Sequence, residues 1–206
     1  MEQKKKAALT RQKILDAAEM EFTEKGPDAA RVDRIARLAG VNKQLIYAHF
    51  GSKEGLYTAV LEAVYGRLSS CEETMMKTDF DGPEAVRRII LDYFGFLMEN
   101  PSFVRLVLWE NLNGARHVPE TSPKLFRGAE QLLRRGVSQG VLREDLDIEQ
   151  TVLSLNMFCF SAFSNVHTLS RLLGRDLAAQ QEMARRSAHI ADVLTAYVQK
   201  REEIPT

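Results

Sequence analysis

The sequence has little of what marks a secreted or metal-dependent protein. It has only two cysteines, Cys71 and Cys159, which lie far apart and favour reduced thiols over a disulfide. The lysines near the amino terminus are not followed by the apolar run of a signal peptide, so a cytoplasmic protein is expected. Repeats and low-complexity tracts are absent, no spacing of His, Cys, Asp or Glu suits a metal, and no catalytic group is evident. No cofactor, metal or catalytic residue is therefore predicted.

One long segment, from Thr151 to Ser170, lacks Asp, Glu, Lys and Arg. Its length suits a membrane span, but seven polar side chains interrupt it, so we reject that interpretation. A helix that is apolar on most of its surface and dotted with small polar groups is typical of a buried interface. The segment is therefore predicted to pack against other helices, without membrane contact.

Net charge is also lacking, with 28 basic and 28 acidic side chains. The charges are unevenly distributed, however. Residues 1–53 carry 11 Lys and Arg against 7 Asp and Glu, an excess of four positive charges that the remainder balances. This small asymmetry is consistent with a nucleic-acid-binding end on an acidic body.

Strand patterns are nearly absent, and apolar residues recur at intervals of three and four, which predicts an all-α fold. A helix-turn-helix head over residues 1–55 and a helical body over 56–206 are expected. Helices are predicted near 10–25, 32–39, 43–50, 53–70, 83–99, 102–113, 123–139, 148–172 and 176–201. Gly26-Pro27 and Asn100-Pro101 are expected to end helices, and Ser52 to cap one.

The most informative stretch runs from Ala36 to Leu56. Gly40 suits a tight turn between two short helices because glycine adopts a positive φ at little cost. Asn42 can then cap the following helix, which is too short to be stable alone. Neighbouring helices must hold its inner face through Ile46 and Phe50, which leaves the outer face available for recognition.

This stretch resembles the DNA-binding domain of TetR-type (TetR/AcrR) transcriptional regulators. The resemblance covers about residues 10–61, and the following residues carry it: Ile35-Ala36, Ala39-Gly40-Val41, Ile46-Tyr47, His49-Phe50, Ser52-Lys53-Glu54, Leu56 and Tyr57. It implies a head of three helices, followed by a helical domain that binds a ligand and dimerises.

The first turn of the third head helix, predicted over 43–50, carries side chains suited to DNA bases. Lys43 can donate to guanine, Gln44 can pair bidentately with adenine, and Leu45 can touch a thymine methyl. Asn42 lies beside them, so these four residues are the predicted base readers. The resemblance implies that Tyr47, His49 and Lys53 hold phosphates. The alternatives are packing for Tyr47 and plain surface positions for the others.

The sequence departs from the family pattern just upstream. Arg31 stands where a capping threonine is usual, so the cap must come from another residue, such as Asp28, or be absent. Its absence would lower the stability of the protein by about 1 kcal/mol. Arg31 then becomes a candidate phosphate ligand. Lys4 to Lys6 form either a minor-groove arm or a solvated tail.

The body is rich in large apolar side chains, which core packing largely explains. A helical body of this composition is also where the resemblance places a ligand cavity. The candidate lining residues are Phe94, Met98, Phe103, Trp109, Asn113, His117, Asn156, Phe160 and His167. The last helix carries a stripe of Met183, Ile190, Leu194 and Tyr197, and two helices from each of two chains are expected to form a homodimer.

Together these features predict a homodimeric, ligand-responsive regulator of a palindromic DNA operator, acting as a repressor, with an effector of unknown identity. The head serves an activator equally well, so the sequence leaves both open. A helical enzyme or small-molecule carrier is the rival class, which no catalytic constellation supports.

Overall fold

A computed structural model describes residues 1–75, 82–119 and 126–200. The helices are α1 (Glu2–Ala29), α2 (Val32–Ala39), α3 (Lys43–Phe50), α4 (Lys53–Met75), α5 (Gly82–Glu99), α6 (Pro101–Leu112), α7 (Arg127–Ser138), α8 (Ile148–Ser164), α9 (Val166–Leu173) and α10 (Gln180–Val198). No strand occurs within these ranges, which confirms the all-α prediction.

The chain divides into two compact units. Unit 1 combines Met1–Arg67 with Ser102–Ser122, and unit 2 combines Leu68–Pro101 with Pro123–Thr206. The expected division after residue 55 falls inside α4, a continuous helix that contributes residues to both units. Unit 1 also takes in α6, which the sequence had assigned to the body.

Unit 1 is built around the apolar faces that the spacing predicted. Because these positions recur at intervals of three and four, each helix presents one continuous stripe to a shared core. The buried members are Ile14, Ala17, Ala18, Phe22, Val32, Ile35, Ala36, Ile46, Leu56, Val60, Leu61 and Val64. Phe50 differs from the prediction, since it is only half-buried and lies under the guanidinium of Arg11, 5.1 Å from its ring centroid.

The first helix is longer than predicted at its amino terminus. It begins at Glu2, because the following lysines and alanines are good helix formers. Thr10 is a mid-helix residue whose hydroxyl donates to the Lys6 carbonyl at 3.0 Å. Lys4, Lys5 and Lys6 are therefore exposed residues of this helix, where a minor-groove arm or a solvated tail was expected.

At its other end α1 bends at Gly26, whose φ of 78° is non-helical. One more turn follows, from Pro27 to Ala29, so the predicted stop is a kink. A Cβ built on Gly26 would lie 2.9 Å from the Trp109 indole, so only glycine fits both the conformation and the space.

Unit 2 packs α5, α8 and α10 around aromatic and aliphatic side chains. The rings of Phe94 and Phe163 lie 4.7 Å apart, and Ile90, Leu97, Leu155 and Ile190 are buried. Cys71 and Cys159 are free thiols, and burial raises the pKa of Cys159 to about 12.

The predicted helix over 148–172 is two helices. Asn165 interrupts it, and its side-chain amide donates to the hydroxyls of Ser161 and Ser164 at 3.3 and 3.1 Å. Small polar side chains bond locally in this way and compete with the helix backbone. The last helix begins at Gln180 and not near 176, because Ser170 and Asp176 accept the N–H groups of Leu177 and Ala178 in a turn.

The other predicted boundaries hold to within a few residues. α5 and α6 match their expected spans closely, and Ser52 caps α4 by accepting the Gly55 N–H at 3.0 Å. The predicted helix start at 123 and end at 201 lie outside the described residues, as do residues 78–81 of the loop expected over 78–83.

Candidate nucleic-acid interface

The turn between α2 and α3 has the geometry that the sequence predicted. Gly40 is left-handed with φ 67°. Asn42 caps α3, since its Oδ1 accepts the Leu45 N–H at 2.8 Å. Ile46 is fully buried and fixes the inner face of the helix. The opposite face of this two-turn helix is consequently held in place and open to solvent.

The four predicted base readers lie on the first turn of α3 or just before it. Gln44 is exposed and Leu45 is half-buried. Asn42 uses its carbonyl oxygen for the cap, so its amide nitrogen is the group left to donate outward. Lys43 lies 3.1 Å from the Asp33 carboxylate, which raises the pKa of the lysine. That exposed ion pair is weak, so Lys43 can exchange its partner at small cost.

The predicted phosphate ligands have unequal surroundings. Tyr47 is 39% exposed on α3, and the Arg31 side chain is exposed just before α2. His49 is half-buried, with its ring 6.0 Å from that of Phe50. The Lys53 ammonium donates to the Asp28 backbone carbonyl at 2.7 Å, so it already joins α4 to the segment after the kink.

A buried carboxylate replaces the cap that the sequence lacks. Glu21 is 2% exposed, and its Oε1 accepts the Arg31 N–H at 3.1 Å. Its Oε2 lies 3.1 Å from the Arg34 guanidinium. A negative charge there favours the start of α2. Neither Asp28 nor the Arg31 side chain caps the helix among the described contacts, so the suggestion of Asp28 is corrected.

A second buried carboxylate, Glu110 on α6, was missed by sequence reasoning. It is 1% exposed and accepts the Tyr57 hydroxyl at 2.9 Å and the His117 backbone N–H at 2.8 Å. The pKa of Tyr57 is strongly raised, chiefly by burial and next by the hydrogen bond from its hydroxyl to Glu110. The Tyr57 ring also packs against Phe22, with centroids 4.9 Å apart. Glu110 thereby fastens α6 to the first turns of α4, and no short-range pattern announces a pair separated by 53 positions.

A third contact joins α6 to the head helices. Arg67 forms a bidentate pair with Glu19 at 2.6 and 3.1 Å, and the Ser102 hydroxyl donates to the same carboxylate at 2.5 Å. Bidentate pairs fix orientation as well as distance. Together with Trp109 against Gly26, these contacts explain why α6 belongs to unit 1.

The nine predicted ligand-contacting residues are divided between the two units. Phe103, Trp109, Asn113 and His117 belong to unit 1, and the other five belong to unit 2. Asn113 donates to the Trp109 carbonyl at 2.9 Å, and Asn156 donates to the Tyr93 hydroxyl at 2.9 Å. Met98 is 52% exposed, and His167 is also exposed. Ligand binding by these nine stays a prediction.

Unit 2 contains a small cavity that none of the nine lines. Its walls are Glu72, Ile89, Tyr93, Phe126, Gly128, Ala129 and Leu155, and its open volume of about 20 Å³ admits one water molecule. Among the described residues that line it, Glu72 is the only charged one, and one of its oxygens accepts the Phe126 N–H at 2.6 Å. Burial raises the pKa of this carboxyl.

The described residues include no cluster of three or more His, Cys, Asp or Glu side chains placed to hold a metal ion. Nor is any helix within these ranges long and apolar enough to cross a bilayer.

Comparison with known proteins agrees with this geometry. The family model for bacterial regulatory proteins, tetR family, matches residues 14–60, and that for the tetracyclin repressor-like C-terminal domain matches residues 83–194. The HTH-type transcriptional repressor NicS of Pseudomonas putida is 30% identical over 190 residues, covering 89% of this chain and 90% of that protein.

Solved structures share the fold over nearly the whole chain. Regulator SCO4942 of Streptomyces coelicolor superposes with a TM-score of 0.68 at 25% identity, covering 92% of this chain and 98% of that one. FadR of Bacillus subtilis, in complex with stearoyl-CoA, gives 0.68 at 21% identity, with coverages of 91% and 99%. The fold and the α2–turn–α3 site define a helix-turn-helix transcriptional regulator. The chain belongs to the TetR family, and its head binds DNA.

Proposed function

We propose that this chain is a homodimeric repressor that a small molecule releases from a palindromic operator. The observation that supports the DNA side most directly is the α3 surface, where a buried Ile46 holds a helix whose Gln44 and Tyr47 are exposed. A short helix fixed from behind with polar groups in front is what entry into a major groove requires.

Base reading and backbone contact are assigned to different residues of this surface. Gln44, Lys43, the amide of Asn42 and the side chain of Leu45 face the bases, and Lys43 exchanges Asp33 for a guanine edge. Tyr47, Arg31 and His49 contact phosphates. For Lys53 we propose a phosphate contact made while its bond to Asp28 holds the ammonium in place.

A selection experiment tests the DNA assignment. Purified protein is incubated with a genomic fragment pool at a stated salt concentration, and bound fragments are sequenced. The intact chain is expected to enrich one palindrome, and Gln44→Ala to relax preference at one position in each half-site. Gln181→Ala, an exposed glutamine of α10, is the matched control and should leave the motif unchanged. Enrichment of no palindrome by the intact chain would refute the proposal.

The cavity beside Glu72 supports an effector site in unit 2. An apolar pocket with one carboxylate favours an apolar molecule that carries a hydrogen-bond donor or an amine. Because the cavity has room for only one water molecule, a larger effector must displace a wall. Phe126 is the candidate wall, since its φ of 65° is unfavourable for a non-glycine residue. Its N–H also donates to the Glu72 carboxylate, which the effector would contact.

Release then follows from linkage. Glu72 lies on α4, and the same helix begins at Lys53 beside the recognition helix. An effector that binds best to a placement of α4 unsuited to DNA weakens DNA binding, and DNA weakens effector binding by the same factor.

A thermal-shift screen of apolar amines tests the effector site. A hit should raise the melting temperature of the intact chain and reduce operator binding in a gel-shift assay. Glu72→Gln should abolish both effects, whereas Glu73→Gln, at the neighbouring exposed carboxylate, should keep them. Hits that bind Glu72→Gln unchanged would place the site elsewhere. A promoter-reporter assay then decides repression against activation.

A further inference from the structure

The α8–α10 pair has ends of opposite charge. The two helices run antiparallel, since the loop before α8 is bonded to the end of α10: the Arg143 N–H donates to the Val198 carbonyl at 3.1 Å. At the other end, the end of α8, α9 and the start of α10 surround one groove. The two ends of the pair are separated by the length of α8, which is roughly 25 Å for 17 residues. One of these ends is positively charged and the other is negatively charged.

The groove at the α9 end, which we call the basic groove, has three arginines on its rim. Arg175 lies 3.5 Å from Glu182, whereas Arg185 and Arg186 have no acidic partner among the described contacts. His189 adjoins them, and the floor is apolar. The groove has a volume of about 450 Å³, and its floor consists of Ala162, Leu169, Leu173, Leu177 and Met183.

The opposite end carries the acidic segment, residues 144–149, with four carboxylates. Asp145 is paired with Arg143 at 2.6 Å, and Asp147 caps α8 by accepting the Gln150 N–H at 3.1 Å. Glu144 and Glu149 are exposed and have no bonded partner in the described ranges. Lys200 also lies at this end, with its Nζ beside Gly140. The four carboxylates outnumber it and Arg143, so this end is negative where the other end is positive.

Large apolar side chains are exposed between the two ends. On α8, Leu153 and Met157 are 46% and 64% exposed, and on α10, Val193 and Tyr197 are each 43% exposed. Arg186, His189, Val193 and Tyr197 follow one another at helical spacing, so the basic groove is continuous with this apolar face. Tyr197 belongs to the stripe of the last helix that was predicted to contribute to the dimer, and the Arg143 guanidinium lies 5.1 Å from its ring centroid.

From this arrangement we infer that a second copy of the chain covers the α8–α10 face in antiparallel register, with its acidic segment in the basic groove. The inference rests on the proposed homodimer and specifies its register. In a twofold interface each contact occurs twice, residue i on j and j on i. A twofold axis perpendicular to α8 sets each basic groove against an acidic segment, whereas an axis parallel to α8 sets like charges together.

Charge reversal tests the register. One variant carries Arg185→Glu and Arg186→Glu in the basic groove, and a second carries Glu144→Lys and Glu149→Lys in the acidic segment. Each variant alone faces like charges at both ends of the interface, so its dimer dissociation constant should rise at least about tenfold by sedimentation. An Arg88→Glu, Arg105→Glu variant changes net charge as much as the first, at exposed sites outside the face, and should dimerise normally.

Mixing the two reversed chains is the decisive arm. In the mixed dimer every reversed groove meets a reversed segment and every native groove a native one, so native mass spectrometry should show a heterodimer formed preferentially. The intact chain should also dimerise more weakly at about 0.5 M than at about 0.05 M sodium chloride, a measurement that needs no variant to fold.

The outcomes separate the two proposals. A monomeric intact chain overturns the homodimer and the register together. An intact dimer with reversed variants that dimerise equally well, no preference for the mixed dimer, or no salt effect overturns the register alone. Circular dichroism and melting temperature confirm that each reversed chain is folded before it is compared.

Discussion

At the level of single residues, Asn42 has two tasks that one substitution separates. Asn42→Ala removes the cap on the Leu45 N–H and should lower the free energy of unfolding by about 1 kcal/mol, besides weakening operator binding. Asn42→Ser keeps a capping oxygen but lacks the amide. It should retain stability by urea denaturation, while any loss of base preference in the fragment selection reports the amide alone. Equal stability for both variants would argue against the cap.

Two tyrosines of unit 1 provide a matched pair. Tyr57 is buried with its hydroxyl on Glu110, so Tyr57→Phe leaves a buried carboxylate with one bond fewer and should cost about 1–3 kcal/mol of stability. Tyr47→Phe, at an exposed position, should change stability by less than about 0.5 kcal/mol. It should instead weaken binding to all DNA sequences alike in a gel-shift assay. If Tyr57→Phe weakened DNA binding and Tyr47→Phe lowered stability, the structural and DNA-binding roles of the two tyrosines would have to be exchanged.

The Glu72 carboxyl gives a pH dependence with a definite sign. Burial raises its pKa in the folded state above the ordinary 4.5, despite the opposing bond from the Phe126 N–H. The stability contributed by the protonated carboxyl is therefore fully present below its pKa in the unfolded chain. It is lost as the pH rises through its pKa in the folded protein. Relative to Glu72→Gln, the intact chain should lose stability across the interval just above pH 4.5, as urea denaturation at stepped pH will show. A difference in stability between the intact chain and Glu72→Gln that stays constant with pH would contradict the raised pKa.

The residue roles that sequence reasoning missed share one property. Glu21 on the Arg31 N–H, Glu110 on Tyr57, and Lys53 on the Asp28 carbonyl are all bonds between positions at least ten apart. Local spacing identifies which residues face inward, as it did for Ile46, but not which distant backbone group a long side chain will meet. The Asn42 cap, three residues from its donor, was predictable for the same reason.

At the level of helices, Gly26 and Gly66 should respond oppositely to alanine. Gly26 has a positive φ and the Trp109 ring against it, so Gly26→Ala combines backbone strain with a clash. Gly66 lies within α4, and a Cβ there meets nothing within 4 Å, so Gly66→Ala should stabilise by about 0.5–1 kcal/mol. Melting temperatures of the two variants should move in opposite directions, and a stable Gly26→Ala would show that α6 can shift away.

Helix existence was predictable from apolar periodicity, and helix boundaries were predictable only where a strong local element marked them. Ser52 and Asn100-Pro101 are such marks, and the boundaries there agree with the structure. The break at Asn165 depends on a cluster of small polar side chains whose competition with the backbone no apolar count detects. Apolar periodicity also misses the early start of α1, because its first lysines form no apolar stripe.

At the level of the whole molecule, the symmetry of the proposed dimer fixes what DNA it accepts. Two heads held by one α8–α10 interface have a set separation, so half-sites must lie on one face of the duplex. Inserting about five base pairs between the half-sites of the selected operator turns one half-site to the opposite face. Binding in a gel-shift titration should then fall to that of a single half-site. Undiminished binding would mean that the heads are independently mobile.

The whole-molecule charge was the least informative property of the sequence. A net charge of zero conceals a head with four excess positive charges and, within unit 2, a helix pair with one basic and one acidic end. The first division could be counted from the sequence. The second could not, because Arg185 and Glu149 acquire opposite positions only once α8 and α10 pack antiparallel.

The contact between Gly26 and Trp109 also constrains how this head can diverge. The two positions are 83 residues apart, yet a side chain at one occupies the volume of the ring at the other. Substitution at position 26 strains the backbone in any case, and it avoids the clash only after a smaller residue has replaced the tryptophan. Homologues with a bulkier residue at 26 should consequently carry a smaller one at 109, so that an alignment of close relatives would show the two positions covarying.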